Sequence, residues 1–292
     1  MHPSSTTWPW WGSMVIISFC NFLFFRHVRM NVRSPRTAQD RRYQVYLRNL
    51  CAPFLFECAW RSVFPSLYNE RQVLFDTPLN SILIDRSLAA LGEVCWVLQI
   101  CLVLEQLAAD LKHPRSPCCG QRFVEMSSPM MALLAVTGEV FSFLGTFTTN
   151  ARYEVFEAIC WCSLFAIAAL TAASLLVRAS NAGALATASR RFLAVLSLQG
   201  LLYCPYMICF NIPMYESIWR RDEEHGKTYF DLWEGMLDSW RTRNRCQNWS
   251  CWRHDWFWMS FYFSVAVWSS ICMMYAPRLS VRQTAQQVAP RV

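Results

Sequence analysis

Charged side chains are scarce in this sequence of 292 residues. They make up only 16% of the chain, whereas a soluble domain has roughly 25%, and 54% of the residues are hydrophobic. Two polar stretches, about 26–43 and 215–255, interrupt otherwise long apolar runs. This composition excludes an ordinary soluble domain and predicts an integral membrane protein.

Lysine and histidine are absent from the apolar runs. The only lysines are Lys112 and Lys227, and the five histidines lie in loops or at the ends of apolar runs. A retinal Schiff base is therefore excluded, and a haem or metal held by histidines inside a bundle is not expected. The G-x-S-x-G, P-loop and H-E-x-x-H patterns are absent too. The sequence specifies no reaction and identifies no cofactor.

Arginine supplies nearly all the positive charge, and the formal net charge is +7. The arginines cluster between apolar runs and do not form a basic stripe, which argues against nucleic acid as a partner. A guanidinium binds phosphate and carboxylate groups well. We therefore expect the lipid bilayer, through its anionic headgroups, to be the acidic partner.

Seven apolar runs are long enough to cross a bilayer as helices, which takes about 20 residues. The second run is interrupted by Pro53, Glu57 and Arg61. The predicted fold is all-α, a single transmembrane domain over residues 1–276 built as a bundle of about seven helices. The predicted spans are 8–25, 44–64, 82–109, 124–149, 153–177, 192–214 and 256–276.

The distribution of basic residues predicts the orientation of the bundle. Cytoplasmic loops carry an excess of lysine and arginine, and alternate loops of this chain do so. With seven spans, the N-terminus lies outside, the C-terminus lies inside, and the first run is an uncleaved anchor. The sequence does not identify which membrane holds the protein. The inside segments are 26–43, 110–123, 178–191 and a basic tail, 277–292.

The outside segment 215–255 is predicted to contain an amphipathic helix before the last span. Apolar side chains recur at helical spacing from Tyr229 to Trp240, and Thr228 is a candidate cap. Such a helix lies on the membrane surface or covers the bundle.

The same segment contains a candidate modification site and a candidate disulfide. Asn248 begins an Asn-Trp-Ser glycosylation sequon. Cys246 and Cys251 are expected to pair if the outside face is oxidising. Most other cysteines lie in or near apolar runs, where a thiol behaves as a small hydrophobic group.

Four glutamates lie inside the predicted spans, at Glu57, Glu93, Glu139 and Glu157. A carboxylate at membrane depth is costly and needs a partner, a proton or a water-filled cavity. Arg61 follows Glu57 by four residues, and Arg86 precedes Glu93 by seven. Each of these arginines therefore shares a helical face with a glutamate.

Glu139 has no basic residue within a turn or two on its own helix. It therefore requires an arginine from another helix or a proton. The predicted orientation places Glu157 and the two arginine–glutamate pairs in the outer half of the bundle, with Glu139 near the middle of its span. Two interpretations stay open: the charged groups are buried ion pairs that fix helix packing, or they line a cavity that carries protons, cations or a basic ligand.

The leading functional hypothesis is a transporter or ion-translocating protein with a carboxylate-lined outer cavity. The candidate binding residues are Glu93, Glu139 and Glu157, with Glu57, Arg61 and Arg86 as supporting charges. The alternatives are a structural or accessory subunit bound to other membrane proteins, an intramembrane lipid-modifying enzyme that uses Glu154 and Glu157 together with Arg152, or a receptor. G-protein-coupled receptors share the seven-span layout, but their acidic-Arg-Tyr and Asn-Pro-x-x-Tyr patterns are absent.

Overall fold

Long helices form almost all of the fold. The computed structural model describes residues 6–31, 38–111, 119–182 and 187–275. The helices are α1 Thr7–Asn31, α2 Ala38–Val63, α3 Ile82–Asp110, α4 Cys119–Thr148, α5 Ala151–Ala182, α6 Thr187–Tyr206, α7 Ile212–Glu224, α8 Leu232–Arg241, α9 Trp249–Trp252, α10 Trp256–Phe261 and α11 Val267–Met273. Two π-helical segments, Met207–Asn211 and Tyr262–Ala266, join α6 to α7 and α10 to α11.

Six helical stretches of the described residues are long and apolar enough to cross a membrane. The shortest, Trp256–Met273, has 18 residues and is about 27 Å long, close to the roughly 30 Å thickness of a bilayer core. The other five are Thr7–Asn31, Ile82–Asp110, Arg122–Thr148, Ala151–Ala179 and Ser189–Glu224. The protein is therefore an all-α, multi-pass membrane protein, as predicted.

The predicted count of seven spans is not confirmed, because α2 is not among these six stretches. It is long enough, at 26 residues, but arginines occupy its first half and the charged Glu57 and Arg61 its second. It nevertheless packs into the bundle, since Leu47, Cys51 and Phe54 are fully buried. α2 is thus a polar member of an apolar bundle.

The sixth predicted span, 192–214, extends beyond its predicted end at residue 214. It continues through the π-helical segment into α7 and ends at Glu224. Pro213 does not stop it; this proline lies in the first turn of α7, directly after the π-helical segment, where the backbone hydrogen-bond ladder is already irregular. Arg220 and Glu216 form an ion pair of 2.5 Å, one turn apart, on the part that projects from the apolar run.

Small side chains allow α5 and α6 to pack closely. Ala168 and Ala172 of α5 are fully buried. Gly200 of α6 faces Ala169 and the backbone of Phe165, and a Cβ on this glycine would lie 2.5 Å from the Ala169 Cβ. Such small-residue contacts are the usual basis of close helix packing in membranes.

One end of the bundle is closed by a compact cap, formed by residues 64–81 and 225–255. Its three short strands are β1 Ser66–Leu67, β2 Gln72–Val73 and β3 Asn244–Arg245. Strand β2 lies between the other two, antiparallel to β1 and parallel to β3. The two halves of the cap are therefore joined by backbone hydrogen bonds.

The amphipathic helix of the cap is α8, and it starts later than the predicted cap at Thr228. It begins at Leu232 because the Asp231 side chain accepts a hydrogen bond from the backbone N–H of Glu234. Gly235 on its inner face lies against the end of α4, where an added Cβ would be 1.9 Å from the Phe147 carbonyl oxygen. Only glycine permits this approach.

Parts of the predicted inside segments lie outside the described residues. These are the tail from residue 276 onward and residues 32–37, 112–118 and 183–186. The side of the membrane that each end faces stays a prediction.

We expect Gly235→Ala to lower the thermal unfolding midpoint by roughly 5 °C, because the new methyl group forces α8 away from α4. Gly12→Ala is the matched control, since nothing lies within 4 Å of a Cβ at Gly12 and alanine favours a helix. Thermal unfolding in detergent measures both variants. Equal midpoints for the two variants would show that α8 is not held by this contact.

Candidate functional site

The charged residues that interrupt the apolar runs come together in one cluster in the cap-proximal half of the bundle. Measured along the helices, their positions range from less than one turn (Arg61, Asp85 and Glu154) to about three turns (Glu93) from the helix ends at the cap, or roughly 3–16 Å. The charged cluster comprises six carboxyl groups, of Glu57, Asp85, Glu93, Glu139, Glu154 and Glu157, and two guanidiniums, of Arg61 and Arg86. All but Arg61 and Glu157 are less than about a tenth exposed.

Arg61 of α2 contacts three of the carboxylates. Its Nη1 lies 2.9 Å from Oε1 of Glu57, the partner predicted from the one-turn spacing, and 3.7 Å from Oε1 of Glu93. Its Nε lies 3.6 Å from Oδ2 of Asp85. The Asp85 carboxylate also accepts a hydrogen bond of 2.6 Å from the Ser66 hydroxyl, which connects the cluster to strand β1 of the cap.

Arg86 of α3 joins two helices. Its Nη2 donates to Oε2 of Glu93 at 3.3 Å and also forms an ion pair with Glu139 of α4. The arginine that Glu139 requires is thus supplied by the neighbouring helix. Glu93 accepts a further hydrogen bond of 2.9 Å from the Tyr262 hydroxyl.

Aromatic rings enclose both guanidiniums. The Tyr68 ring of the cap lies 5.7 Å from the guanidinium carbon of Arg61 and 5.6 Å from that of Arg86. Burial raises the pKa of Tyr68 well above its ordinary value, so the phenol keeps its proton. Phe263 lies 5.5 Å from Arg61, on the side of the last helix. Desolvated cation–π contacts of this kind stabilise each arginine by about 1–2 kcal/mol.

Two glycines leave space for carboxyl side chains. A Cβ on Gly92 would lie 2.9 Å from Cβ of Glu57, and one on Gly145 would lie 2.5 Å from Oε1 of Glu154. Both glycines are in helices that carry members of the cluster. Close packing of α2 on α3, and of α5 on α4, therefore depends on glycine at these positions.

Carboxyl groups contact one another in two places. Glu93 and Glu139 lie within hydrogen-bonding reach of each other, and so do Glu154 and Glu157. An ionised carboxylate only accepts hydrogen bonds, so each contact is favourable only when one of its two carboxyls holds a proton. Oε1 of Glu139 is buried and faces no protein donor, which agrees with a proton on that carboxyl.

Acidic groups continue from the cluster into the cap. Tyr215 of α7 lies within electrostatic range of both Glu154 in the cluster and the cap acids Glu70 and Asp255. Burial raises the pKa of Asp255 to about 6, the Glu70 carboxylate adds to this rise, and His254 opposes it. Tyr215 therefore lies near acidic groups of both the cluster and the cap, and Glu70 among them is exposed.

The other predicted site residues lie apart from the cluster. Cys246 and Cys251 form a disulfide in the cap, and Asn248 lies inside the loop that it closes. Arg152, which the lipid-enzyme hypothesis placed beside Glu157, stacks on the rings of Phe156 and Trp219 at 5.7 and 5.2 Å. The cluster therefore does not include Arg152. Among the described residues, no group of three or more His, Cys, Asp or Glu side chains has the arrangement to hold a metal ion.

Sequence reasoning missed Tyr262 and Asn21 as site residues. Tyr262 lies in an aromatic run that is also typical of a membrane interface, so its role as a donor to Glu93 had no distinct signal. Asn21 hydrogen-bonds to Phe263 and Trp268 of the last membrane-length stretch. It is a lone amide within the first apolar run, and a polar residue at membrane depth is a signal that sequence reasoning could have used.

No family model, curated protein or solved structure matches this chain. The function is therefore inferred from the geometry of the cluster alone.

We expect Asp255→Asn to stabilise the protein above pH 6 and to matter little near pH 4. The folded-state pKa of about 6 exceeds the unfolded value of roughly 3.9, so the wild type loses stability as pH rises through this window. The gain at pH 7.5 should be about 2 kcal/mol. The Asp255 side chain makes no capping hydrogen bond to α10, so the substitution removes none.

Thermal unfolding between pH 4.5 and 8 measures the difference. Asp255→Glu keeps a titratable carboxyl and should retain the pH dependence of the wild type. A constant difference between wild type and Asp255→Asn across this range would contradict the raised pKa.

Proposed function

We propose that this protein moves protons across the membrane, alone or together with a substrate, through the charged cluster. The observation that carries the proposal is the pair of carboxyl–carboxyl contacts, Glu93 with Glu139 and Glu154 with Glu157. Each contact implies a bound proton inside the bundle. A site that holds protons at membrane depth, next to arginines that stabilise the deprotonated form, is typical of proton relays in pumps and transporters.

The charge balance of the cluster supports a proton as its cargo. Two guanidiniums neutralise two of the six carboxylates, and the remaining negative charges would be unpaired in a medium of low dielectric constant. Proton uptake removes this cost without a ligand cavity. The cap acids Glu70 and Asp255 near Tyr215 support proton exchange with water on the cap side, because Glu70 is exposed.

The disulfide supports the predicted orientation. Disulfides persist in oxidising compartments, so we infer that the Cys246–Cys251 bond places the cap on the non-cytosolic side. At the opposite end of the bundle, the exposed arginines of α1 and α2 are suited to anionic lipid headgroups. They are Arg26, Arg29, Arg41 and Arg42.

A second candidate function is a structural or accessory subunit of a membrane complex. It is favoured by the enclosure of Arg86, which has two carboxylate partners and is only 3% exposed. On this view the cluster only fixes helix packing. Co-purification with other membrane proteins at a fixed stoichiometry would favour it, whereas a monodisperse single chain that conducts protons would exclude it.

We expect Glu139→Gln and Glu93→Gln each to reduce proton flux at least tenfold, because an amide cannot carry a proton between the cluster and water. The protein is reconstituted into liposomes that contain a pH-sensitive dye, and a potassium gradient with valinomycin drives the flux. Glu105→Gln is the matched control, since Glu105 is an exposed acid in the opposite half of α3.

Infrared spectroscopy tests the same variants without measuring flux. Protonated carboxyls have an infrared carbonyl band that shifts in D₂O, and Glu139→Gln should remove part of this band at neutral pH. Unchanged flux in both glutamine variants would exclude the carrier role. An unchanged carbonyl band would exclude the shared proton between Glu93 and Glu139.

A further inference from the structure

The last membrane-length helix is interrupted beside the charged cluster. The π-helical segment Tyr262–Ala266 separates α10 from α11. A π turn is wider than an α turn and disturbs the regular backbone ladder, and such bulges occur frequently at functional sites. Within a bilayer, a backbone group that loses its helical partner must find another one inside the protein.

Asn21 of α1 forms a side-chain hydrogen bond to this segment. Its Nδ2 donates a hydrogen bond of 2.8 Å to the backbone carbonyl of Phe263, within the π-helical segment. Its Oδ1 accepts a hydrogen bond of 2.7 Å from Nε1 of Trp268, two residues beyond the segment. Asn21 is 1% exposed, so a buried amide bridges the irregular turn from one side to the other.

Tyr262 precedes this carbonyl by one residue and points into the cluster. Its hydroxyl donates to Oε1 of Glu93 at 2.9 Å, and its ring lies 5.7 Å from the guanidinium carbon of Arg61. The ring packs edge-on against Phe54 and is 7% exposed. The register of the π-helical segment therefore decides whether the hydroxyl reaches Glu93.

We propose that Asn21 and Tyr262 are positioning residues that couple the protonation of Glu93 to the register of the last helix. The inference rests on the proposed proton function and deepens it. A hydroxyl binds an ionised carboxylate more strongly than a neutral one. Proton uptake by Glu93 therefore weakens the hydrogen bond that Glu93 accepts from the Tyr262 hydroxyl. The π-helical segment is then held in place mainly by Asn21.

The first test is the pH dependence of proton flux in liposomes. Tyr262→Phe removes the donor that stabilises ionised Glu93, so the pH of half-maximal flux should rise by about one unit. Asn21→Leu removes the two hydrogen bonds that hold the π-helical segment in its register. It should therefore also raise the pH of half-maximal flux. The double variant should shift it no further than the larger single effect, because both residues act on one contact.

Gln99→Leu is the matched control for Asn21→Leu. Gln99 is also a buried amide that holds the last helix, since its Nε2 donates to the Ser270 carbonyl at 2.9 Å, but Ser270 lies outside the π-helical segment. This variant should lower thermal stability without moving the pH midpoint. If Asn21→Leu behaves in the same way as Gln99→Leu, the positioning role is wrong.

A milder variant keeps the test valid if Asn21→Leu does not fold. Trp268→Phe removes only the indole donor to Asn21 and should give a smaller shift in the same direction; no shift would overturn the proposal. The infrared carbonyl band, titrated against pH in detergent, provides the same midpoints without any flux. If wild-type liposomes conduct no protons but the band shifts as expected, the transport function fails and the positioning role stands.

Discussion

The buried guanidinium of Arg86 is the constraint on which the rest of the structure depends. A charge at this depth is stable only with charged partners, and Arg86 has two, from its own helix and from α4. Their contact fixes the relative position of α3 and α4. It also brings Glu93 and Glu139 close enough to share a proton, so the same interaction that stabilises the bundle creates its candidate proton site.

The cap and the charged cluster form one connected unit. Tyr68 covers both guanidiniums and Ser66 donates to Asp85, so the strands of the cap contribute directly to the cluster. Arg71 anchors the cap from the other direction, because its guanidinium donates to the Thr146 carbonyl at the end of α4 and pairs with Asp238 of α8. A change in the cap therefore reaches the buried carboxyls through a short chain of contacts.

Local rules predicted the contacts within single helices, whereas the contacts between helices needed the fold. The four-residue spacing of Glu57 and Arg61 is sufficient to pair them, since helical geometry alone brings them together. No such rule connects Glu139 to Arg86, because their separation in space depends on how α3 packs on α4. The role of Tyr262 depends further on an irregular turn, which local propensity does not predict.

Sequence alone determined the environment of this protein: its long apolar runs with few charges dictate a helical multi-pass membrane fold, because an apolar run of about 20 residues in lipid satisfies its backbone hydrogen bonds within itself as a helix. It also identified the glutamates as costly groups in need of partners. Only the tertiary structure decided which partners they have on other helices, that α2 packs into the bundle as a polar member, and that Asn21 supports the last helix. These outcomes depend on packing between helices, which the spacing of residues along the chain does not encode.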